Sequence, residues 1–182
     1  TLAQAELEDA QATWGQFSSQ PEFRIVPNGV SLDDFATLPD KAVFRDNYNL
    51  GDARIILFMG RLHQRKGVDI LARAFKQANI PNTKLVIAGP DEGMLSTLEA
   101  LADESIILTG YLAGEARLQA LASADVFALP AIGEGLSMAV LEAMASGLPV
   151  VLSQGCNFPE VAIADAGYIV NVDETEIASA LA

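Results

Sequence analysis

From residue 54 onward, short apolar runs alternate with amphipathic segments, and this alternation constrains the fold more than any other feature of the sequence. The apolar runs cover residues 54–59, 84–88, 106–108, 126–129, 150–152 and 168–170. They are continuously apolar, which is typical of strands that helices cover on both faces. Helical periodicity lies between or after them, over residues 68–78, 94–101, 116–122, 137–146 and 174–181. The pattern predicts an α/β fold with a doubly wound, Rossmann-like parallel sheet.

The residues before 54 give weaker signals. Residues 1–18 predict a helix, with one apolar face formed by Leu7, Ala10, Trp14 and Phe17. Residues 24–26 predict a short strand that ends at Pro27, and the polar residues 31–53 predict an irregular segment. We therefore expect a linker helix over residues 1–22 and one domain over residues 23–182.

Length, charge and cysteine content narrow the class of protein. The 182 residues are 51% apolar, as in a single globular domain. A net charge of −13 argues against nucleic acid and against an anionic membrane as direct partners, since both attract cationic proteins. The single cysteine, Cys156, is expected to be a packing residue. The polar start does not resemble a signal peptide, and we expect a cytoplasmic protein.

A cluster of cations follows the first apolar run. Arg61, Arg65 and Lys66 lie within six residues, on a chain with only 11 cationic side chains. Gly60, directly before them, would let a ligand approach the backbone closely. Arg61 can bind a phosphate in a bidentate manner and Lys66 can add a mobile charge, so this loop is a candidate diphosphate site. A solvated basic loop is the plain alternative.

Two glutamates follow the fourth apolar run. Glu134 lies in a loop, and Glu142 lies in the helix that begins near Ser137. The amides at the start of that helix form an anion site. Carboxylates beside such a site are expected to accept hydrogen bonds from the hydroxyls of a ribose and a sugar, although each glutamate taken alone reads as an ordinary surface acid.

Several other chemistries lack their motifs. The sequence has no Gly-x-Gly-x-x-Gly after a strand, no phosphate-binding loop of the nucleoside triphosphatases and no Asp-x-Asp. One His and one Cys cannot form a zinc cluster, and no Gly-x-Ser-x-Gly elbow occurs. His63 reads as a loop residue.

At these motifs the chain resembles the C-terminal, donor-binding domain of retaining glycosyltransferases of the GT-B fold, family 4. Four segments carry the resemblance, in the family's order: Val-Pro-Asn-Gly-Val at 26–30, Gly-Arg-Leu with Lys-Gly at 60–67, the strand and turn at 85–93, and the glutamate pair Glu134 and Glu142 followed by Ala-Met-Ala-x-Gly-x-Pro-Val-Val. The chain departs from the family at Leu136 and Ser137, where an aromatic residue and a glycine are usual, and at residues 90–92, where the family is richer in glycine.

The resemblance implies a role for each candidate residue. Arg61 and Lys66 would hold the diphosphate of a nucleoside-diphosphate sugar, Glu134 would bind the transferred sugar, and Glu142 would bind the ribose. The backbone of Gly60 and the amides near Leu136, Ser137 and Met138 would approach the phosphates, and the backbone at Tyr111 and Leu112 would face the base. Of these, Arg61, Lys66 and Glu134 would take part in catalysis.

The resemblance also implies a whole enzyme of two domains. The sugar would be transferred with retention and without a metal or other cofactor. The acceptor would bind to an N-terminal domain that this chain lacks, so we expect the chain to be one inactive half of a longer protein, which could itself attach peripherally to the inner membrane face. Two alternatives stay open: a nucleotide-sugar epimerase of the same fold, and a non-catalytic nucleotide-binding module.

Overall fold

The computed structural model describes residues 4–15 and 22–182. The strands are β1 (Arg54–Met59), β2 (Thr83–Ala88), β3 (Ile106–Gly110), β4 (Val126–Leu129), β5 (Val150–Ser153) and β6 (Gly167–Val170). The helices are α1 (Gln4–Trp14), α2 (Lys41–Asn47), α3 (Val68–Ala78), α4 (Leu95–Leu101), α5 (Gly114–Ser123), α6 (Met138–Ala145), α7 (Glu160–Ile163) and α8 (Glu174–Leu181). In this part of the chain, no helix is both long and apolar enough to cross a membrane.

The six strands form one parallel sheet in the order β3-β2-β1-β4-β5-β6. The predicted doubly wound, Rossmann-like sheet is confirmed. Starting at β1, the chain adds strands outward to β3 and then returns to the other side of β1 to add β4. In such sheets, ligands bind beyond the carboxyl ends of the strands, at the point where the strand order reverses. Here that point lies between β1 and β4.

The central strands of the sheet are buried, as their continuously apolar sequences predict. All residues of β1 after Arg54 are buried.

On one face α3 packs against α4 and α8. Arg73 of α3 contacts Asp69 at 2.8 Å and Glu174 of α8 at 2.5 Å. These hydrogen bonds, first to Glu174 and then to Asp69, raise the pKa of the Arg73 guanidinium. On the other face α2 packs against α5.

The prediction that residues 31–53 are irregular is wrong, because this segment contains a 3-10 turn and α2. The side chain of Asp40 accepts a hydrogen bond from the Ala42 amide and so caps the start of α2. Phe44 is 1% exposed and anchors the helix in the core. Arg45 donates to the carbonyls of Gly51, Ala53 and Ser123, which fixes the helix beside the start of β1. The capping residue and the buried aromatic outweigh the segment's polar composition.

The predicted strand at residues 24–26 is also wrong. The side chains of Ile25 and Val26 are 40% and 68% exposed, and no strand of the sheet pairs with the segment. A strand needs a neighbour for its amides and carbonyls, and apolar residues alone do not supply one.

Two of the predicted helices, the one at the start of the chain and the one after β4, are found in the structure. α1 confirms a helix within residues 1–18; Leu7 and Ala10 are half-buried in it, and Trp14 is 46% exposed. Phe17 lies outside the described residues. The helix predicted over 137–146 is confirmed as α6, and it ends where expected because Gly147 has a φ of +78°.

The backbones of β1 and β2 come into direct contact where the two strands end. The Gly60 amide donates to the carbonyl of Ala88 at 3.0 Å. A Cβ atom built on Gly89 would overlap the carbonyl oxygen of Gly60. Gly89 therefore allows the two strand ends to approach closely.

We expect Gly89→Ala to lower the free energy of unfolding by about 2 kcal/mol or more, because the new methyl group must push two central strands apart. Urea unfolding measures this change. Gly29→Ala is the matched control, since a Cβ atom there meets nothing within 4 Å. Equal stability of the two variants would contradict the steric argument.

Candidate functional site

Backbone hydrogen bonds to the loop after β2 hold the loop after β1 in place. The Leu62 amide donates to the carbonyl of Pro90 at 2.8 Å, and the Glu92 amide donates to the carbonyl of Leu62 at 3.1 Å. A 3-10 turn over Gln64–Lys66 follows, and Nδ1 of His63 accepts a hydrogen bond from the Arg65 amide at 3.1 Å. His63 is thus a capping residue in the loop, as its position predicted.

The same loop is joined to the loop that follows β4. The Ile132 amide donates to the carbonyl of Arg65 at 2.8 Å. Gly67 packs so closely on Pro130 that a Cβ atom would overlap the Pro130 carbonyl oxygen, and its φ of +65° is one that glycine adopts readily. The two loops therefore form one surface across the point where the strand order reverses.

Lys66 and Glu134 meet on this surface. The Nζ atom of Lys66 lies 2.5 Å from Oε1 of Glu134, and the two side chains are only 13% and 14% exposed. The loop after β5 fixes the backbone of Glu134. The Glu134 amide donates to the carbonyl of Gly155 at 2.8 Å, and the Glu134 carbonyl accepts from Nδ2 of Asn157 at 2.8 Å. A mostly buried cation and a carboxylate are thus fixed side by side.

Arg61 extends to the surface and contacts Glu92. The Nη1 atom of Arg61 lies 2.8 Å from Oε2 of Glu92, and the Arg61 side chain is 61% exposed. Glu92 belongs to the turn after β2, which Asp91 organises. The amides of Leu95, Gly93 and Met94 all donate to Oδ1 of Asp91 and lower the pKa of its carboxyl.

A cavity of about 230 Å³ opens beside this turn. It lies among the carboxyl ends of β1, β2 and β3 and the facing sides of α5 and α6. Its lining residues are Met59, Gly60, Arg61, Ala88, Gly89, Pro90, Tyr111, Leu112, Arg117, Ala139 and Glu142. The wall is mainly apolar, with one carboxylate and two guanidinium groups, which is the composition of a pocket for a flat ligand with polar edges.

Glu142 and Arg117 form an ion pair at the wall of this cavity. Nη1 of Arg117 contacts Oε1 of Glu142, whose side chain is 14% exposed. The pair joins α5 to α6. Glu142 was predicted to point away from the apolar centre of its helix, and the structure places it in the cavity.

The start of α6 provides the third part of the site. Ser137 is the N-cap residue and is buried, but its side chain makes no capping hydrogen bond. The first amides of a helix lack partners within the helix, so an acceptor beside α6 would be stabilised. The carboxylate of Glu6 from α1 lies against Gly135, two residues before this cap, where a Cβ atom would overlap it. An anionic group of the chain itself therefore lies close to the expected anion site.

The predicted residues divide into two groups. Gly60, Arg61, Tyr111, Leu112 and Glu142 line the cavity. The others, Lys66, Glu134, Leu136, Ser137 and Met138, do not line it. Lys66 and Glu134 form a neighbouring charged pair, and the last three surround the start of α6. Tyr111 is 72% exposed, so its side chain reaches past the rim.

Sequence reasoning missed four residues of the site. Arg117 and Glu92 pair with predicted residues, Asn157 holds the Glu134 carbonyl, and Glu6 approaches Gly135. Each comes from a segment distant in sequence, and only Glu92 lies within a motif segment, the strand and turn at 85–93. Only the departure noted at residues 90–92 pointed to one of them.

Two other details complete the site. Cys156 is buried and its thiol donates to the carbonyl of Leu129 at 3.1 Å, which confirms it as a packing residue; burial raises the pKa of the thiol. In residues 4–15 and 22–182, no three His, Cys, Asp or Glu side chains lie together as metal ligands would.

Because Lys66 and Glu134 are mostly buried, we expect Lys66→Ala to cost roughly 2–3 kcal/mol by leaving a carboxylate without its partner. The double variant Lys66→Ala/Glu134→Ala should lose less than the sum of the two single variants. Urea unfolding of all four proteins gives this coupling, and simple additivity would show that the pair contributes nothing.

Comparisons with known proteins identify the family of the chain. The sequence profile of the family "Glycosyl transferases group 1" matches residues 53–182. A GDP-mannose-dependent alpha-(1-6)-phosphatidylinositol monomannoside mannosyltransferase of Mycolicibacterium smegmatis is 36% identical, over 76% of this chain and 40% of its own length. A GDP-mannose-dependent monoacylated alpha-(1-6)-phosphatidylinositol monomannoside mannosyltransferase of Corynebacterium glutamicum is 32% identical, over 91% of this chain and 47% of its own length.

Solved structures agree on the fold. WaaG, a glycosyltransferase involved in lipopolysaccharide biosynthesis, is 25% identical with a TM-score of 0.80, over 100% of this chain and 51% of WaaG. Sucrose-phosphate synthase from Thermosynechococcus elongatus is 26% identical with a TM-score of 0.79, over 99% and 47%. The chain thus spans about half the length of these proteins. With its profile match, its fold and its motifs, the chain belongs to the group 1 glycosyltransferases and has the fold of one GT-B domain.

Proposed function

We propose that this chain is the donor-binding half of a glycosyltransferase, which transfers a sugar from a nucleoside diphosphate to an acceptor with retention. The observation that carries the proposal is the cavity beyond the carboxyl ends of β1, β2 and β3, whose wall includes Gly60, Arg61 and Glu142, together with the Lys66–Glu134 pair on the neighbouring loops. A ligand that fits must combine a flat apolar part, vicinal hydroxyls and a strong negative charge.

The nucleoside would occupy the cavity. Its base would stack among Pro90, Tyr111 and Leu112, which are apolar and lie at the ends of two strands. The ribose hydroxyls would donate to Glu142. The glycine at position 60 supports this arrangement. A Cβ atom there would lie an ordinary 3.5 Å from Phe58, so packing within the chain does not require a glycine, and space for a ligand would explain it.

The diphosphate would lie between the cavity and the start of α6. Arg61, Lys66 and the amides near Leu136, Ser137 and Met138 would surround it. Each cation already pairs with a glutamate of the chain, so phosphate must compete with Glu92 for Arg61 and share Lys66 with Glu134. Positive charge held in place stabilises a diphosphate as it departs. We propose on this basis that the reaction proceeds without a metal.

The sugar would lie beside Glu134, whose remaining oxygen can accept hydrogen bonds from its hydroxyls. Transfer breaks the bond between the anomeric carbon and the diphosphate oxygen and forms a bond from that carbon to an acceptor hydroxyl oxygen, while the departing diphosphate takes up the hydroxyl proton. The acceptor would bind to another part of the whole protein, and closure of that part over the donor would align the reacting atoms. The 182-residue chain alone is therefore proposed to bind donor and transfer nothing.

The relatives suggest which donor to test first. Two of them are named as GDP-mannose-dependent, so we propose a GDP-sugar, and an acceptor at a membrane surface for the whole enzyme. A cytoplasmic location follows from the supply of such donors. The relatives are named as transferases, and the epimerase and non-catalytic alternatives are not favoured.

Calorimetric titration with GDP, UDP and ADP tests the proposal. We expect saturable binding of one nucleotide, at equal affinity with and without magnesium. Glu142→Ala should weaken binding at least tenfold by removing the acceptor of the ribose hydroxyls. Gly60→Ala should do the same by filling the place of the ligand while leaving the urea unfolding midpoint unchanged.

Gly29→Ala, in open space outside the cavity, is the control for the glycine variant. Binding that survives both Glu142→Ala and Gly60→Ala would place the nucleotide elsewhere. Absence of binding by the unaltered chain would remove the proposed function. Transfer by the chain alone would contradict its role as one half of the enzyme.

The position of Glu6 gives a separate expectation. Its carboxylate competes for the space and the positive potential near the start of α6, so Glu6→Ala should tighten nucleoside-diphosphate binding several-fold. Glu8→Ala is the matched control, because Glu8 lies on the same helix, carries the same charge and contacts Gln4 instead. Equal effects of the two changes would mean that only net charge matters.

A further inference from the structure

Arg117 lies where a ligand in the cavity would meet Glu142. It belongs to the first half of α5, whereas Glu142 belongs to α6, and both line the cavity. The Arg117 side chain is 34% exposed and the Glu142 side chain 14% exposed. Their ion pair is therefore partly shielded from water, and a bound nucleoside would shield it further.

The contact uses only part of the carboxylate. Nη1 of Arg117 donates to Oε1 of Glu142. An ionised carboxylate has about four acceptor positions on its two oxygens, so Oε2 and part of Oε1 stay available to hydroxyl donors. A charge-assisted hydrogen bond to one oxygen limits how far the carboxylate can turn. The arrangement presents a directed acceptor to the cavity.

Arg117 also supplies the charge balance that a ligand would demand. A nucleoside entering the cavity displaces water from Glu142. A buried carboxylate that loses water without a counter-ion is strongly disfavoured. The Arg117 guanidinium supplies that counter-ion at the wall of the cavity.

The other arginine–glutamate pairs of the described chain do not share this position. Arg24 and Glu22 are 77% and 75% exposed and do not line the cavity. Arg73 and Glu174 join α3 to α8 with exposed fractions of 38% and 40%, and neither lines the cavity. Arg61 pairs with Glu92 at the rim, on a side chain 61% exposed. Of these pairs, only Arg117–Glu142 has a carboxylate largely shielded and facing the pocket.

We propose that Arg117 is a positioning residue that aims Glu142 at the ribose, and that it thereby makes the chain select ribonucleotides over their deoxy counterparts. The inference rests on the proposed function and deepens it. Arg117 does not contact the reacting atoms. Its effect on affinity is expected only for ligands that carry the ribose hydroxyl that donates to Glu142.

The test compares nucleotides that differ by one hydroxyl. Of GDP, UDP and ADP, the one that binds best to the unaltered chain is titrated beside its 2′-deoxy and 3′-deoxy forms. We expect the unaltered chain to bind at least one deoxy form tenfold or more weakly. Arg117→Ala should reduce that ratio to below threefold, mainly by weakening the ribonucleotide, and Arg117→Lys should restore part of it.

Arg73→Ala is the matched control, because it also removes an ion-paired arginine but outside the cavity. It should leave the ratio unchanged. Urea unfolding of each variant separates loss of fold from loss of selectivity.

The outcomes distinguish failure of the Arg117 inference from failure of the proposed donor site. If Arg117→Ala weakens ribo and deoxy forms equally, or keeps the full ratio, Arg117 does not position Glu142 and the inference is overturned while the donor site stands. An unaltered chain that binds both forms equally overturns it too. An unaltered chain that binds no nucleotide overturns the proposed function and this inference together.

Discussion

The contact between the loops after β1 and β4 is the constraint on which the rest of the site depends. The Arg65 carbonyl accepts from Ile132, and Gly67 rests on Pro130, so the loops on both sides of the strand-order reversal are held at a fixed distance. Lys66 and Glu134 lie directly beside these contacts and are therefore brought together by backbone interactions, not by their own attraction alone. A buried ion pair gains little net stability, since desolvation offsets the attraction. Its place at the loop contact, beside the start of α6, fits the role in binding that is proposed above.

Charge at the site is organised as pairs. Arg61, Lys66 and Arg117 each contact a glutamate, on a chain whose net charge is −13. An acidic protein that binds an anion must hold its cations in place and keep other carboxylates at a distance. The pairs do the first, and under the proposed function two of the glutamates, Glu134 and Glu142, take a second role as acceptors for hydroxyls. The same residues would then balance charge when the site is empty and recognise the ligand when it is full.

Much of the fold could be predicted from the sequence because its signals are local. The six apolar runs from residue 54 onward all form strands of the sheet, and α3 and α8 begin and end at the predicted residues. The errors fall where stability came from distant partners. α2 depends on the Asp40 cap and on Phe44 in a core that the sequence does not display, and residues 24–26 lack a neighbouring strand.

The sequence by itself determined the fold class and the family and indicated the candidate loops, because all three reside in short motifs and their order. The tertiary structure decided which side chains meet. Glu142 faces Arg117, Arg61 faces Glu92 and Glu6 approaches Gly135, and each contact joins segments that only the folded sheet and its helices bring together. Electrostatic interactions depend on distance and on exposure to water, and neither quantity is encoded in a local pattern of residues.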